Sequence, residues 1–127
     1  VKVFDSSGLQ KRTVVPSFPY SVADTLAASV DDYTPPTWNS GITRLELTPA
    51  SGGTVVTGLN SSVHLVGDVV AVINDAAAVT DNLQFANESG SSSAANRFVG
   101  IGGEDFILAP GGGVLLMLSS AGWKFLQ

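Results

Sequence analysis

The sequence predicts an all-β protein: a β-sandwich or jelly-roll-like domain of short antiparallel strands, with an irregular N-terminal arm. Three observations carry that expectation. Short runs rich in Val, Ile, Leu, Phe and Thr recur along the chain, and clusters of Gly, Asn, Ser and Pro separate them at close spacing. Helical periodicity is confined to one short stretch.

Taken in order, Val1, Lys2 and Val3 begin an apolar and polar alternation that the turn residues Asp5, Ser6, Ser7 and Gly8 cut short. Residues 11–15 offer a second short strand, stopped by Pro16 and Pro19, which lack a backbone donor and fix φ. Residues 17–36 show no strand period. Within them residues 21–30 read as a short helix, with Ser21 as N-cap and Val22, Leu26 and Val30 recurring every fourth residue. Pro35, Pro36, Asn39, Ser40 and Gly41 then make a loop. The segment from Pro16 to Gly41 is long for a connector in so small a domain, and reads as an arm that packs along a neighbour or along the domain's own surface.

From Ile42 onward the strands become regular. Arg44 to Thr48 alternates, with Leu45 and Leu47 as the buried set, while Ile42 falls out of phase and suggests a bulge. Ser51, Gly52 and Gly53 read as a hairpin turn before a short strand at residues 54–57. Further strands are expected at residues 62–66, 69–73, 82–85, 97–101, 105–108, 114–118 and 123–126. Pro110 and Gly111 read as the turn of a hairpin joining the strands on either side. The organisation expected is one domain over residues 1–127, with strands and arm in 1–41 and the sandwich core in 42–127.

Composition narrows the function classes. The chain has 127 residues, 44% hydrophobic and only 13% charged, against about a quarter charged in an average domain. Its surface is therefore Ser, Thr, Asn and Gly, or is covered by an interface. A net charge of -5, with six scattered Lys and Arg residues, argues against direct nucleic-acid binding. No cysteine is present, which removes disulfides, thiolate metal sites and cysteine nucleophiles. No apolar run reaches the roughly 18 residues a spanning helix needs, and the N-terminal residues do not form a secretory signal, so cytoplasmic synthesis without membrane insertion is expected.

Two runs, residues 69–73 and 114–118, are apolar without alternation, the pattern of strands covered on both faces. A two-layer domain covers one face. A subunit interface would cover the other, which predicts a homo-oligomer.

The run from Gly67 to Trp123 has a recognisable frame. Gly67 and Asp68 open the apolar strand, and the Ser-rich loop from Ala86 ends in Ala94-Ala95-Asn96-Arg97-Phe98. Glu104 to Gly111, the strand at 114–118 and a closing Gly122-Trp123 follow. This frame resembles the β-structured domains of tailed-bacteriophage virion surface proteins, found in capsid decoration proteins, head fibres and tail-fibre tips, over roughly the C-terminal half. The resemblance implies a homotrimer located on the virion surface and made in the host bacterial cytoplasm. It implies the major capsid protein or other virion proteins as partners, or a host surface glycan or protein for a fibre tip.

Candidates for chemistry are few. His64 is the only histidine, so neither an imidazole pair nor a nucleophile elbow is available, and a structural or solvated role is expected. Asp24, Asp31 and Asp32, and separately Glu104 and Asp105, lack the spacing of a calcium loop. Gly100 to Gly103 and Gly111 to Gly113 lack the Lys and helix of a phosphate loop. No catalytic residue, metal or cofactor is expected. The aromatic residues of the arm, Phe18, Tyr20, Tyr33 and Trp38, are the candidate interface, because exposed apolar bodies are costly unless docked.

These residues support two functions. One is a decoration or cement protein that trimerises on the capsid exterior and stabilises it. The other is the distal receptor-binding knob of a fibre. With no coiled-coil heptads or collagen-like repeat to build a shaft, decoration is the first expectation.

Overall fold

The computed structural model describes residues 20–126 throughout and, before them, the backbone of two short strands. These are β1 (Lys2–Phe4) and β2 (Gln10–Arg12), which pair antiparallel as a two-stranded sheet. Phe18 and the expected strand residues 13–15 lie outside the described residues.

The protein is all-β, and its central strands stack in parallel. A first turn of chain carries β3 (Ser21–Thr25) and β4 (Ser29–Val30), a second β5 (Arg44–Thr48) and β6 (Thr54–Val56), a third β7 (Val69–Asn74) and β8 (Leu83–Phe85). In each turn the first strand joins one sheet and the second joins the other, so β3, β5 and β7 run parallel, as do β4, β6 and β8. Tyr33 continues the first turn by bridging in parallel to Leu59. The arrangement is solenoid-like. The remaining strands are β9 (Phe98–Val99), β10 (Phe106–Leu108), β11 (Gly113–Ser119) and β12 (Gly122–Leu126). They extend the sheets to a six-stranded order β3-β5-β7-β11-β12-β9 and a four-stranded order β10-β8-β6-β4.

This pairing corrects the antiparallel expectation for β3 to β8, while β7–β11, β11–β12 and β8–β10 do pair antiparallel. The turn at Ser51 and Gly52 is a corner between sheets rather than a hairpin, because β5 and β6 do not pair. The same holds at Pro110 and Gly111, where β10 and β11 belong to different sheets. Residues 21–30 form two strands, not a helix. A spacing of four satisfies the strand period of two as well as a helical turn, and pairing with β5 and β6 supplies the backbone partners. The segment 16–41 is therefore no irregular arm over its described part, since it holds the first turn of the stack.

The core lies between the sheets. Leu45 and Leu47 are buried as their alternation requires, with Val70, Val72 and Leu116 beside them on the six-stranded side. Val56, Leu83 and Phe85 face them from the four-stranded side. Phe85 meets Phe98 and Phe125 edge-on, at centroid distances of 5.0 and 5.6 Å, contacts worth about 1 kcal/mol each beyond area burial. Ile42 marks no bulge; it is fully buried in the turn before β5. The strand expected at 97–101 is shortened to Phe98–Val99, because Ile101–Gly103 folds as a 3-10 turn. Gly122 sits at φ +117 beside the Arg97 carbonyl, where a Cβ would collide, so glycine is required for β12 to start under that strand.

Candidate functional site

The two runs that read as covered on both faces are adjacent, hydrogen-bonded strands. β7 pairs with β11 so that Val69 lies opposite Met117, Ala71 opposite Leu115 and Ile73 opposite Gly113. Val70, Val72, Leu116 and Leu118 point into the core; the alternate residues point away from it. Among the described residues, then, only one face of each strand is covered. Leu115 is 45% exposed, Val69 39% and Leu126, which pairs with Leu115 from β12, 37%. A shallow depression of about 380 Å³ lies here, lined by Ala71, Ile73, Phe106, Gly113, Leu115 and Leu126 among others, all of them apolar or glycine.

Charge flanks this strip on the neighbouring strands of the sheet. On β5, Arg44 and Glu46 alternate with the buried Leu45 and Leu47 and form a loose pair at 3.7 Å. On β12, Lys124 is exposed between buried Trp123 and Phe125.

His64 lies in a different setting. The strand expected at 62–66 is a turn, and Leu65 and Val66 project from it, 77% and 70% exposed. The imidazole itself is walled in by two indoles, with Trp38 at 4.6 Å and Trp123 at 5.8 Å between ring centroids. Its Nδ1 lies 3.1 Å from the Asp68 carboxylate, and its Nε2 is buried without a hydrogen-bond partner. The ring fills space and pins the turn. A base that must reach a substrate needs an accessible nitrogen, and neither ring nitrogen here has that access.

The candidate interface aromatics separate. Tyr20 is 66% exposed. Tyr33 is buried at 6%, and its hydroxyl donates to Asp24 at 2.6 Å; burial and that carboxylate push the phenol well above its ordinary range. Trp38 is half-buried against the core, and its indole N–H donates to the Asn60 carbonyl at 2.8 Å. Tyr33 is thus sealed within this chain and presents no anchor to a partner. The aromatic content of the segment is spent chiefly on its own domain, one of the two dispositions the sequence allows.

The acidic candidates act as hydrogen-bond acceptors. Thr57 donates to Asp31 at 2.7 Å and lies 2.7 Å from Ser92, whose oxygen also accepts the Asp32 N–H. Asp32 in turn accepts the Ser93 N–H and the Asn96 amide, and Asn96 accepts the Ser61 N–H and hydroxyl. This network fastens the Ser-rich loop to the corners of the first two turns. Gly58 is part of it, because a Cβ there would lie 2.6 Å from Ser92. Asp105 accepts from the Asn87 N–H and the Gln84 amide. Among the described residues no three His, Asp or Glu side chains converge as a metal site.

These acceptor roles have a pH consequence. The Asn96 amide and Ser93 N–H hold Asp32 below the usual carboxylate range; the Leu65 N–H and His64 do so for Asp68, and the Asn87 N–H and Gln84 for Asp105. A depressed folded-state pKa stabilises above the unfolded value and loses that contribution as pH falls through the folded one. The melting temperature is therefore expected to hold from neutral pH down to the usual carboxylate pKa and to fall below it. Asp32→Asn should flatten part of the acid-side decline. An acid limb unchanged in Asp32→Asn would remove Asp32 from this account.

Asn74 was not singled out by the sequence. It is fully buried at the end of β7, where its amide nitrogen donates to the carbonyls of Asp81 and Leu108, both at 2.9 Å, and its oxygen accepts the Ala76 N–H at 3.0 Å. A polar residue closing an apolar strand was the available signal.

No helix among the described residues is long and apolar enough to cross a membrane. No protein-family model matches the chain, and no curated protein matches its sequence.

Proposed function

We propose that this chain is a non-enzymatic structural protein of a tailed-phage virion, a decoration or cement protein that assembles as a homotrimer on the capsid exterior and stabilises it. The observation that carries the reading is the outer face of the six-stranded sheet, where the described residues cover two adjacent apolar strands on one side only. Exposed contiguous apolar surface of this kind marks an assembly site. The enclosure of His64 between Trp38 and Trp123 supports the non-enzymatic part, since the only imidazole of the chain lacks access to a substrate. The virion assignment draws on the resemblance of the frame from Gly67 to Trp123.

In this reading the polar loops face solvent or the capsid, and the sheet faces line the three-fold axis. Particle reconstruction with labelled protein tests it. Density on the capsid exterior in three-fold clusters is the expected result. Density at a fibre tip would replace it with the receptor-binding reading, and absence from purified particles would overturn both.

A further inference from the structure

We propose that Asp24, held by Tyr33, caps the end of the stack, and that its carboxylate is what stops a second copy of this chain from adding its strands there. Among the described residues, β3 and β4 are the outermost strands at that end. Such an edge is a template for further strands unless something blocks it.

The register shows how the first turn differs from the two beneath it. Val22, Leu45 and Val72 lie side by side across β3, β5 and β7, and all three are buried. Two residues on, the same core-facing row reads Asp24, Leu47 and Asn74. Leu47 is 2% exposed and Asn74 is fully buried, so a row closed to water in the second and third turns ends, in the first, on a carboxylate. Its partners are the Tyr33 hydroxyl at 2.6 Å and the Thr25 N–H at 2.9 Å. Neither is a cation, and a coil laid over β3 would take an uncompensated charge out of water.

The same carboxylate occupies the edge itself. Leu26 donates its N–H to the Thr48 carbonyl of β5, and successive N–H groups of a strand point to opposite sides, so the Thr25 N–H points away from β5. An added strand would need that donor, and Asp24 already holds it. Tyr33 completes the cap from the third side of the coil: it bridges in parallel to Leu59, lines the same internal space as Leu45, Leu47 and Val56, and hands its hydroxyl to Asp24. A copy added end-on would leave its own far end open, so the association would grow without closing. Stacked repeats carry polar end repeats against this outcome.

Substitution at Asp24 tests the cap, read by sedimentation velocity against the native chain across a dilution series, with circular dichroism confirming the fold. Asp24→Leu puts into the first turn the residue that the second turn carries, and is expected to raise the average mass about twofold or more at roughly 100 micromolar. Asp24→Glu keeps the charge and is expected to sediment as the native chain does. Asp24→Asn, uncharged and of native size, is run beside them and is expected to grow as the leucine variant does, so a loss of sheet signal in Asp24→Leu leaves the test intact. Because growth is read relative to the native mass, the result does not depend on whether the native chain is a monomer or a trimer. A folded, uncharged variant that keeps the native mass would overturn the proposal. So would a glutamate variant that grows, or a native chain that itself grows without limit.

Discussion

Trp123→Ala is expected to lower the unfolding free energy by about 3–5 kcal/mol, the largest loss of any single truncation considered. The ring is fully buried, and its N–H donates to the Leu59 carbonyl at 2.8 Å in the second turn of the stack. It is also one wall of the His64 enclosure. Truncation leaves a cavity, strands a buried carbonyl and frees the imidazole together. Trp123→Phe keeps most of the volume and loses the hydrogen bond, so its cost should be about half or less. Urea denaturation of both variants makes the comparison. A loss below about 1 kcal/mol for the alanine variant would mean that the stack closes without this residue.

Asn74→Ala is expected to cost about 2–4 kcal/mol, despite removing a polar group from a buried position. The side chain satisfies two carbonyls and one N–H from the loop after β7 and the end of β10, and all three lose their partner together. Asn74→Asp should be at least as damaging at neutral pH, because a carboxylate would face two carbonyl oxygens with no proton to donate. Urea denaturation reads both. Equal stability of native and Asn74→Ala proteins would show that water replaces the amide in full.

Local features were legible in the sequence. Leu45 and Leu47 announce β5 because one face is polar, and the strands expected at residues 82–85, 105–108 and 123–126 form as Leu83–Phe85, Phe106–Leu108 and Gly122–Leu126. What alternation does not carry is the partner. Ser29 pairs with Val55, and nothing in either local pattern encodes that contact or its parallel direction. Turn residues were legible as turns and misleading as hairpins, since a corner between sheets uses the same Gly chemistry as a hairpin. Residues 62–66 read as a strand because Val63, Leu65 and Val66 are apolar, yet burial of His64 between two distant tryptophans turns the backbone there and exposes Leu65 and Val66.

The site was legible to a different degree. The uninterrupted apolar runs pointed to a face that the described residues do not cover, and β7 and β11 present that face side by side. The aromatics of the expected arm pointed elsewhere. Tyr33 and Trp38 pack inward because the first turn of the stack needs a core of its own, and their hydroxyl and indole N–H find partners at Asp24 and Asn60. A sequence shows that an aromatic must be buried, and only the fold shows against what.

The assembly claim is tested most directly by sedimentation equilibrium of the native chain across a dilution series, with Leu115→Asp run beside it. Leu115 is 45% exposed and points away from the core, so the substitution spares the fold while placing a charge at the centre of the apolar face. The account predicts a mass of three chains for the native protein at micromolar concentration and of one chain for Leu115→Asp. A native protein that is monomeric there, or a Leu115→Asp variant that assembles as the native one does, would contradict it.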